Sequence, residues 1–328
     1  MTIEEFTADD VTTVAETVEL TNAVRKVDSP WEHPETIGTF TASMRFGWDG
    51  ETPRCFAARE AGRLVAVGYL YVSEWDNTHL AWAGVQVHPD ERRRGHGSAL
   101  FASLVDRARQ VGRHSIGLDG WDSPAPIGFA ARHGLPRRSA AINRRQHLEE
   151  VGAGVVEQMY ADALAAAPAY EVVRIAGATP ADLLDAVATL TGAINDAPTD
   201  DLDIEDEVFP VERIAAYEAA QRASGNRFYR VVARHRQSGV LAGHSVVAVE
   251  SERPTIGHQH DTSVVREHRG HRLGILLKAD MLRWLAAEEP QLRTIDTWNA
   301  ESNDHMIDVN EKLGYRALGR ELQFQRDI

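Results

Sequence analysis

Cysteine is nearly absent. Cys55 is the single one in 328 residues. That excludes an intramolecular disulfide framework and any cysteine-built zinc site. No apolar run approaches the roughly 20 residues a membrane helix needs. The first ten residues, MTIEEFTADD, are acidic and do not read as a secretory signal. Basic charge is also short: Lys and Arg number 35 against 49 Asp and Glu, for a formal net charge of -14. A broad basic face for duplex nucleic acid is therefore not expected. The composition is that of a cytoplasmic globular protein. Its length, too great for one small core, favours two domains.

The scarce arginines are clustered. VHPDERRRGHG (Val87–Gly97) has a later echo in VVREHRGHRLG (Val264–Gly274). Local positive charge on a glycine turn suits a small anionic ligand. The acidic remainder does not repel a cationic amine. The echo extends in both directions. Phe56–Val72 and Val231–Val249 each read as strand, polar glycine turn, strand, which is a hairpin. After each arginine turn comes a run with apolar residues at i, i+3 and i+4, the pattern of a helix. Then follow a short strand (HSIGLDG, LRTIDTWNA), a short helix closed by Gly134 or Gly314, and a strand-like tail. One order of elements used twice describes a duplicated domain. Residues 1–150 form the first copy and 169–328 the second, joined by an Ala-rich helix at 151–168. In the second copy Thr179 and Pro180 mark a helix start. The acidic stretch Asn195–Pro210 reads either as a substrate-facing lid or as a solvated loop.

A strand that runs through a glycine turn into a helix leaves unpaired backbone N–H groups under the positive end of the helix dipole. That is a phosphate or pyrophosphate site. Gly95 and Gly97 let backbone approach a phosphate closely, and Arg92, Arg93 and Arg94 add charge. Neither a Walker loop nor a dinucleotide GxGxxG is present.

With strand before, helix after and the turn repeated, both halves resemble the GNAT superfamily of acyl-CoA-dependent N-acyltransferases. The resemblance implies an α+β fold: two GNAT domains, each a mixed, mostly antiparallel sheet flanked by helices, with its fourth and fifth strands splayed. It implies acetyl-CoA as cofactor. The pantetheine arm would lie on Val85, Gln86 and Val87 and the pyrophosphate on Arg92–Ser98, His96 included. In the second half the matching residues are Thr262, Ser263 and Val264, then Arg269, Gly270, His271, Arg272, Leu273 and Gly274. Arg272 departs from the family's Gly, and its Cβ is expected to narrow the approach. The family's Tyr, four residues before the Gly of LGY, is replaced by Ala130 and by Asn310. Asn310 retains a hydrogen-bond donor for a departing thiolate. An Asn near the strand end in this region commonly bonds pantetheine, which points to Asn299 and Asn303; Asn303 equally fits a helix cap.

The fourth strands differ. HLAWAGVQV offers nothing titratable after His79. IGHQHDTSV carries His258, His260 and Asp261, and strict alternation puts the histidines on one face and Asp261 on the other. Imidazole titrates near neutrality and suits deprotonation of an ammonium group. His-x-His lacks a clear third ligand, so no metal is expected. The second half is therefore expected to catalyse, and the first to be structural or to hold CoA. The function implied is acetylation of a primary amine of a small molecule or peptide, without nucleic-acid or membrane partners. The chain would be a monomer with an internal pseudo-dimer, or a homodimer. A mycothiol-synthase-like acetyltransferase and a non-catalytic acyl-CoA sensor are the rivals.

Overall fold

The computed structural model describes residues 1–328, the side chain of Ala153 excepted. The elements of the first half are β1 (Thr2–Phe6), α1 (Val11–Asp28), α2 (Ile37–Phe46), β2 (Arg54–Glu60), β3 (Arg63–Val72), β4 (Leu80–Val87), α3 (His96–Gln110), β5 (Ser115–Trp121), α4 (Pro124–Arg132) and β6 (Arg137–His147). Then come α5 (Ala153–Ala166), β7 (Tyr170–Ala176), α6 (Leu184–Thr191), α7 (Val211–Ala223), β8 (Asn226–His235), β9 (Leu241–Glu250) and β10 (Ile256–Val264). The chain ends with α8 (Leu273–Glu288), β11 (Thr294–Ala300), α9 (Asp304–Lys312) and β12 (Tyr315–Asp327).

Two compact units result, and neither is a simple half of the chain. The first comprises Met1–Ala141, Thr199–Asp206 and Gly319–Ile328; the second comprises Ile142–Pro198 and Glu207–Leu318. The first unit's strands run in the order β1-β2-β3-β4-β5-β12, and the second's β7-β8-β9-β10-β11-β6. Neighbours pair antiparallel in β1–β2, β2–β3, β3–β4 and β5–β12, with β4–β5 parallel. The second unit repeats the scheme, with β10–β11 parallel and β7 through β10 antiparallel. Each unit is thus a mixed, largely antiparallel sheet flanked by helices. Each takes its closing strand from a distant stretch of chain.

Local chemistry explains the helices. Asp10 caps α1 through the Thr13 amide at 3.1 Å, and Thr36 and Thr39 form a capping box at α2. Asn303 caps α9, accepting from the Met306 amide at 3.2 Å. α3 buries Leu100, Phe101, Leu104, Val105 and Ala108, an i, i+3, i+4 stripe, against β2 to β5. Leu322 and Phe324 of β12 complete that core. α1 and α2 cover the other face through Val14, Val18 and Phe40. Gly134 and Gly314 follow their helices at φ 68° and 84°, the left-handed C-cap geometry.

Thr179 does not cap a helix. Its hydroxyl donates to Glu218 Oε1 at 2.6 Å and its amide to Oε2 at 2.8 Å, and α6 starts only at Leu184 after a 3-10 turn. A buried carboxylate outcompeted the local cap. The acidic stretch is tied down, not free. In the first unit Ser139 donates to Asp200 at 2.6 Å, and the Asp203 amide donates to Gln325 at 2.8 Å.

Candidate active site

Both sheets fork at the same place. β4 pairs with β5 only from Leu80 to Ala83, and β10 pairs with β11 only from Ile256 to His258. Past those pairs the parallel neighbours separate. Gly84–Val87 and Gln259–Val264 therefore each keep one edge free of the partner strand. A peptide-like arm laid in such a fork finds unpaired strand N–H and C=O groups.

Each fork leads into its arginine turn. The first intrahelical bond of α3 runs from the Ala99 amide to the Gly95 carbonyl (3.0 Å), and that of α8 from Leu276 to Arg272 (3.1 Å). The amides of His96, Gly97 and Ser98, and of Leu273, Gly274 and Ile275, are left at the helix starts. The two turns share a backbone. Arg93 and Gly95 have φ of 64° and 89°; Gly270 and Arg272, at the equivalent places, have 84° and 57°. Each turn thus uses two left-handed residues, one of them glycine, with the glycine at opposite positions. Arg272 keeps the geometry that Gly95 has, and nothing lies within 4 Å of where a Gly95 Cβ would stand. Arg272 therefore leaves the left-handed backbone of the turn in place. Its cost is the intrinsic left-handed strain of about 1–2 kcal/mol.

The motif arginines act as braces. Arg92 donates through Nε to the Val87 carbonyl (3.2 Å) and through its other nitrogens to Asp28 (2.9 and 2.6 Å). Arg269 donates to the Val264 carbonyl (3.1 Å) and to Asp196 (2.5 Å), which Arg266 also contacts. Arg94 pairs with Glu91, and the Ser98 hydroxyl meets His133 Nε2 at 2.9 Å. Among the described residues no carboxylate is paired with Arg93 or Arg272. These two exposed side chains carry the uncompensated charge of the turns. Acetyl-CoA fits this donor set: the free helix-start amides and Arg93 or Arg272 for its phosphates, and the fork edge for its amide-bearing arm.

The second unit's polar residues are largely engaged with one another. The Tyr217 hydroxyl and His260 Nδ1 lie 2.5 Å apart. Burial, then the charge of His258, pulls the His260 pKa down to about 3. His258 Nε2 lies 2.7 Å from Glu250, which also takes both Arg253 contacts. The β9–β10 register shifts between Gln259 and Thr262. This bulge breaks the strict alternation expected for His258, His260 and Asp261. Asp261 instead shares an electrostatic neighbourhood with Tyr217 and Arg230; burial raises its pKa and Arg230 partly offsets the rise. Arg230 is itself buried, 3.1 Å from Glu218. Thr262 shares a hydrogen bond with Ser245 at 2.9 Å, and Ser263 is buried. Asn310 is wholly buried. Its carbonyl accepts from Lys278 Nζ at 2.7 Å and its amide donates to Asn299 at 2.7 Å. One Asn310 donor hydrogen is therefore committed to Asn299. Asn303 is the α9 cap.

The first unit holds what its β4 sequence lacked. On the α1/α2 face, beside the fork, lies a cavity of about 280 Å³ lined by Glu35, Tyr69, Tyr71, Trp82, Gln86 and Asp119, among others. Cross-strand register puts these on one face: Tyr69 opposes Gly84, Tyr71 opposes Trp82, and Val67 opposes Gln86. Gly117 lets the Trp82 ring lie across β5; a Cβ there would stand 2.2 Å from the ring. Trp82 Nε1 then donates to Asp119 at 2.5 Å. Gln86 accepts from the Thr21 hydroxyl at 2.9 Å. Asp119 faces Gln323 of β12, and Glu321 faces Trp121, so the two carboxyls are diagonal neighbours. Residue Asp119 is exposed, but its carboxyl is crowded by the protein around it, and that desolvation raises its pKa, against the opposing bonds from Trp82 and Gln323. Burial, then Asp119 and Glu32, pushes Glu321 up to about 8.

Neither carboxyl was singled out from sequence. Asp119 stands inside HSIGLDG, and Glu321 alternates with Leu322 and Phe324 in the last strand. That alternation signals one wet and one dry face. No local pattern pairs residues two hundred positions apart.

Residues 21–135 match the model of the Acetyltransferase (GNAT) family. Over 152 residues the chain is 28% identical to the mycothiol acetyltransferase of Stackebrandtia nassauensis. That match covers 45% of this chain and 47% of that protein, about half its length. A solved tandem GNAT protein from the clavulanic acid biosynthesis pathway, without acetyl-CoA, has a TM-score of 0.81 at 26% identity, over 99% of this chain and 98% of that one. A GCN5-related N-acetyltransferase from Sphaerobacter thermophilus shares the fold, with a TM-score of 0.66 at 14% identity over 99% and 95% of the two chains.

Proposed function

We propose that this chain, which belongs to the GNAT family of acetyltransferases and has the tandem GNAT fold, moves the acetyl group of acetyl-CoA onto a primary amine of a small molecule or peptide. The observation that carries this is the coupling, in each unit, of a forked parallel pair to a turn with two left-handed residues and a free helix start. The fork offers strand edge to an amide-bearing arm, and the turn offers N–H groups and one unpaired arginine to phosphates. The thioester supplies an activated acyl group. The protein's part is to hold it, to orient the acceptor and to take up the amine's protons.

The likeness to a mycothiol acetyltransferase makes a mycothiol-type acceptor the second reading. Thiol release from acetyl-CoA, followed over a panel of primary amines, tests the function. Acetyl-CoA-dependent release that rises with one amine class is expected. Binding of acetyl-CoA without release for every amine would point to a sensor. Calorimetric titration of CoA into Gly95→Asp and Gly274→Asp variants assigns the occupied turns. A carboxylate placed there repels the pyrophosphate, so each variant should lose the site it touches.

A further inference from the structure

The α1/α2 side of the first unit and the α6/α7 side of the second are equivalent in element order but not in content. In the second unit this face is filled. Tyr217, Phe228, Val246 and Ala248 form a buried cluster, and Arg230, 1% exposed, lies on the same β8 face. In the first unit the face opens into the cavity beside the fork. Its aromatic wall is Tyr69, Tyr71 and Trp82. Its one cation, Arg25, is already spent on Glu35 at 3.0 Å and the His33 carbonyl at 2.7 Å. Carboxylates therefore set the sign of the cavity. Its volume is at the small end of ligand pockets, roughly 300 Å³.

We propose that this first-unit cavity is the acceptor site, that it takes a small primary ammonium compound with an apolar body, and that the Asp119–Glu321 carboxyl pair is its base. The assignment rests on the acetyl-transfer function proposed above. The apolar body packs on Tyr71 and Trp82, and the ammonium faces Asp119. Trp82 Nε1–H fixes the Asp119 carboxylate. Glu321 arrives on the last strand of the chain, so the base is complete only when β12 joins this sheet. The groups facing Glu321 are Asp119 from β5 and Glu32 from the segment after α1, with Arg25 Nε 3.9 Å from Glu32. The neighbouring Arg320 is paired with Asp122 at 2.8 Å.

The chemistry balances as follows. The carboxyl pair, in its ionised form, takes one proton from the ammonium. The freed nitrogen lone pair forms the N–C bond to the thioester carbonyl, and the C–S bond breaks with its electrons on sulfur. The thiolate takes a second proton from the nitrogen, directly or through water. Amide and thiol are the products, and the first proton leaves the pair to solvent.

The test uses the full-length chain with Glu321→Gln and Asp119→Asn. Phenethylamine is the probe, with 2-phenylethanol as its uncharged counterpart, and calorimetry reads binding without acetyl-CoA. Phenethylamine is expected to bind, 2-phenylethanol to bind at least tenfold more weakly, and Asp119→Asn to weaken the amine at least tenfold. With acetyl-CoA, Glu321→Gln is expected to lose about 100-fold or more in turnover while keeping its CoA affinity. Equal binding of amine and alcohol, or unaltered amine binding in Asp119→Asn, overturns the pocket. Turnover within threefold of the parent in Glu321→Gln overturns the base. If the parent chain releases no thiol with any amine, the acetyl-transfer function falls, and the calorimetric arm still decides the cavity. Should either carboxyl variant fail to fold, Trp82→Phe keeps the aromatic wall and removes the hydrogen bond to Asp119. It should move the rising limb of the pH–rate profile upward, and an unmoved limb counts against the pair.

Discussion

Glu321 can be tested through stability as well as through turnover. Its pKa is raised from 4.5 to about 8 by burial, then by Asp119 and Glu32. In the unfolded chain it ionises at its ordinary value. Between about pH 4.5 and 8 the native state therefore holds a proton that the unfolded state has lost. Stability falls as pH rises through that window and levels off above it. At about 1.36 kcal/mol per unit, the interval from 4.5 to pH 7 gives an upper bound of about 3 kcal/mol. Water entering the cleft screens the carboxyl and reduces this to about 1–2 kcal/mol. Glutamine has nearly the same shape and cannot ionise. Urea unfolding of the parent and of Glu321→Gln at pH 5, 6, 7 and 8 isolates the effect, because other groups cancel in the difference. The two should come closest near pH 5, the variant should be more stable by about 1–2 kcal/mol at pH 7, and the gap should widen further to pH 8. A difference that is flat with pH, or that shrinks as pH rises, refutes the reasoning. It would mean that Glu321 ionises like a surface carboxylate and is not poised near neutrality.

Other consequences follow from the same geometry. Gly95→Ala should cost about 1–2 kcal/mol, because alanine must adopt φ near 89°, whereas Arg272→Gly should hold or slightly raise stability; thermal unfolding reads both. Lys278 is buried, and burial pulls its pKa down to about 7. Its charge is therefore least welcome in the native state below that pH, and stability should rise from about pH 7 toward 10. Asn310→Ala removes the acceptor of Lys278 and should cost about 2–3 kcal/mol at pH 6 and less at pH 9 by denaturant titration. At Gly319 a Cβ would stand 2.4 Å from the Trp31 ring and 2.7 Å from that of Trp121, so Gly319→Ala should lose about 1–3 kcal/mol. A Gly319→Ala protein as stable as the parent would show that β12 does not pack against those rings.

Much of the fold was legible because it is local. The hairpins, the helix after each arginine turn, and the closing glycines Gly134 and Gly314 are all read from neighbours within a few positions. Thr179 was misread because the cap rule is local and Glu218, on α7, is not. The alternation assigned to His258, His260 and Asp261 failed at a bulge, which a period-two pattern cannot encode. Arg272 looked like a loss of glycine. In fact each turn has two left-handed residues, one of them glycine, and only the backbone φ values reveal the exchange.

The sequence by itself determined that one order of strands and helices occurs twice, that each copy carries an arginine turn at a helix start, and that β4 holds no titratable side chain. These follow from backbone propensity and short-range periodicity, which act over a few residues. Only the tertiary structure opened a cavity beside the first unit's fork. It set Asp119 beside Glu321 by strand register, filled the second unit's face with Arg230, Tyr217 and Phe228, and gave the first unit its last strand from the far end of the chain. Register and packing depend on contacts between segments remote in sequence. A single chain read in order carries no direct record of them.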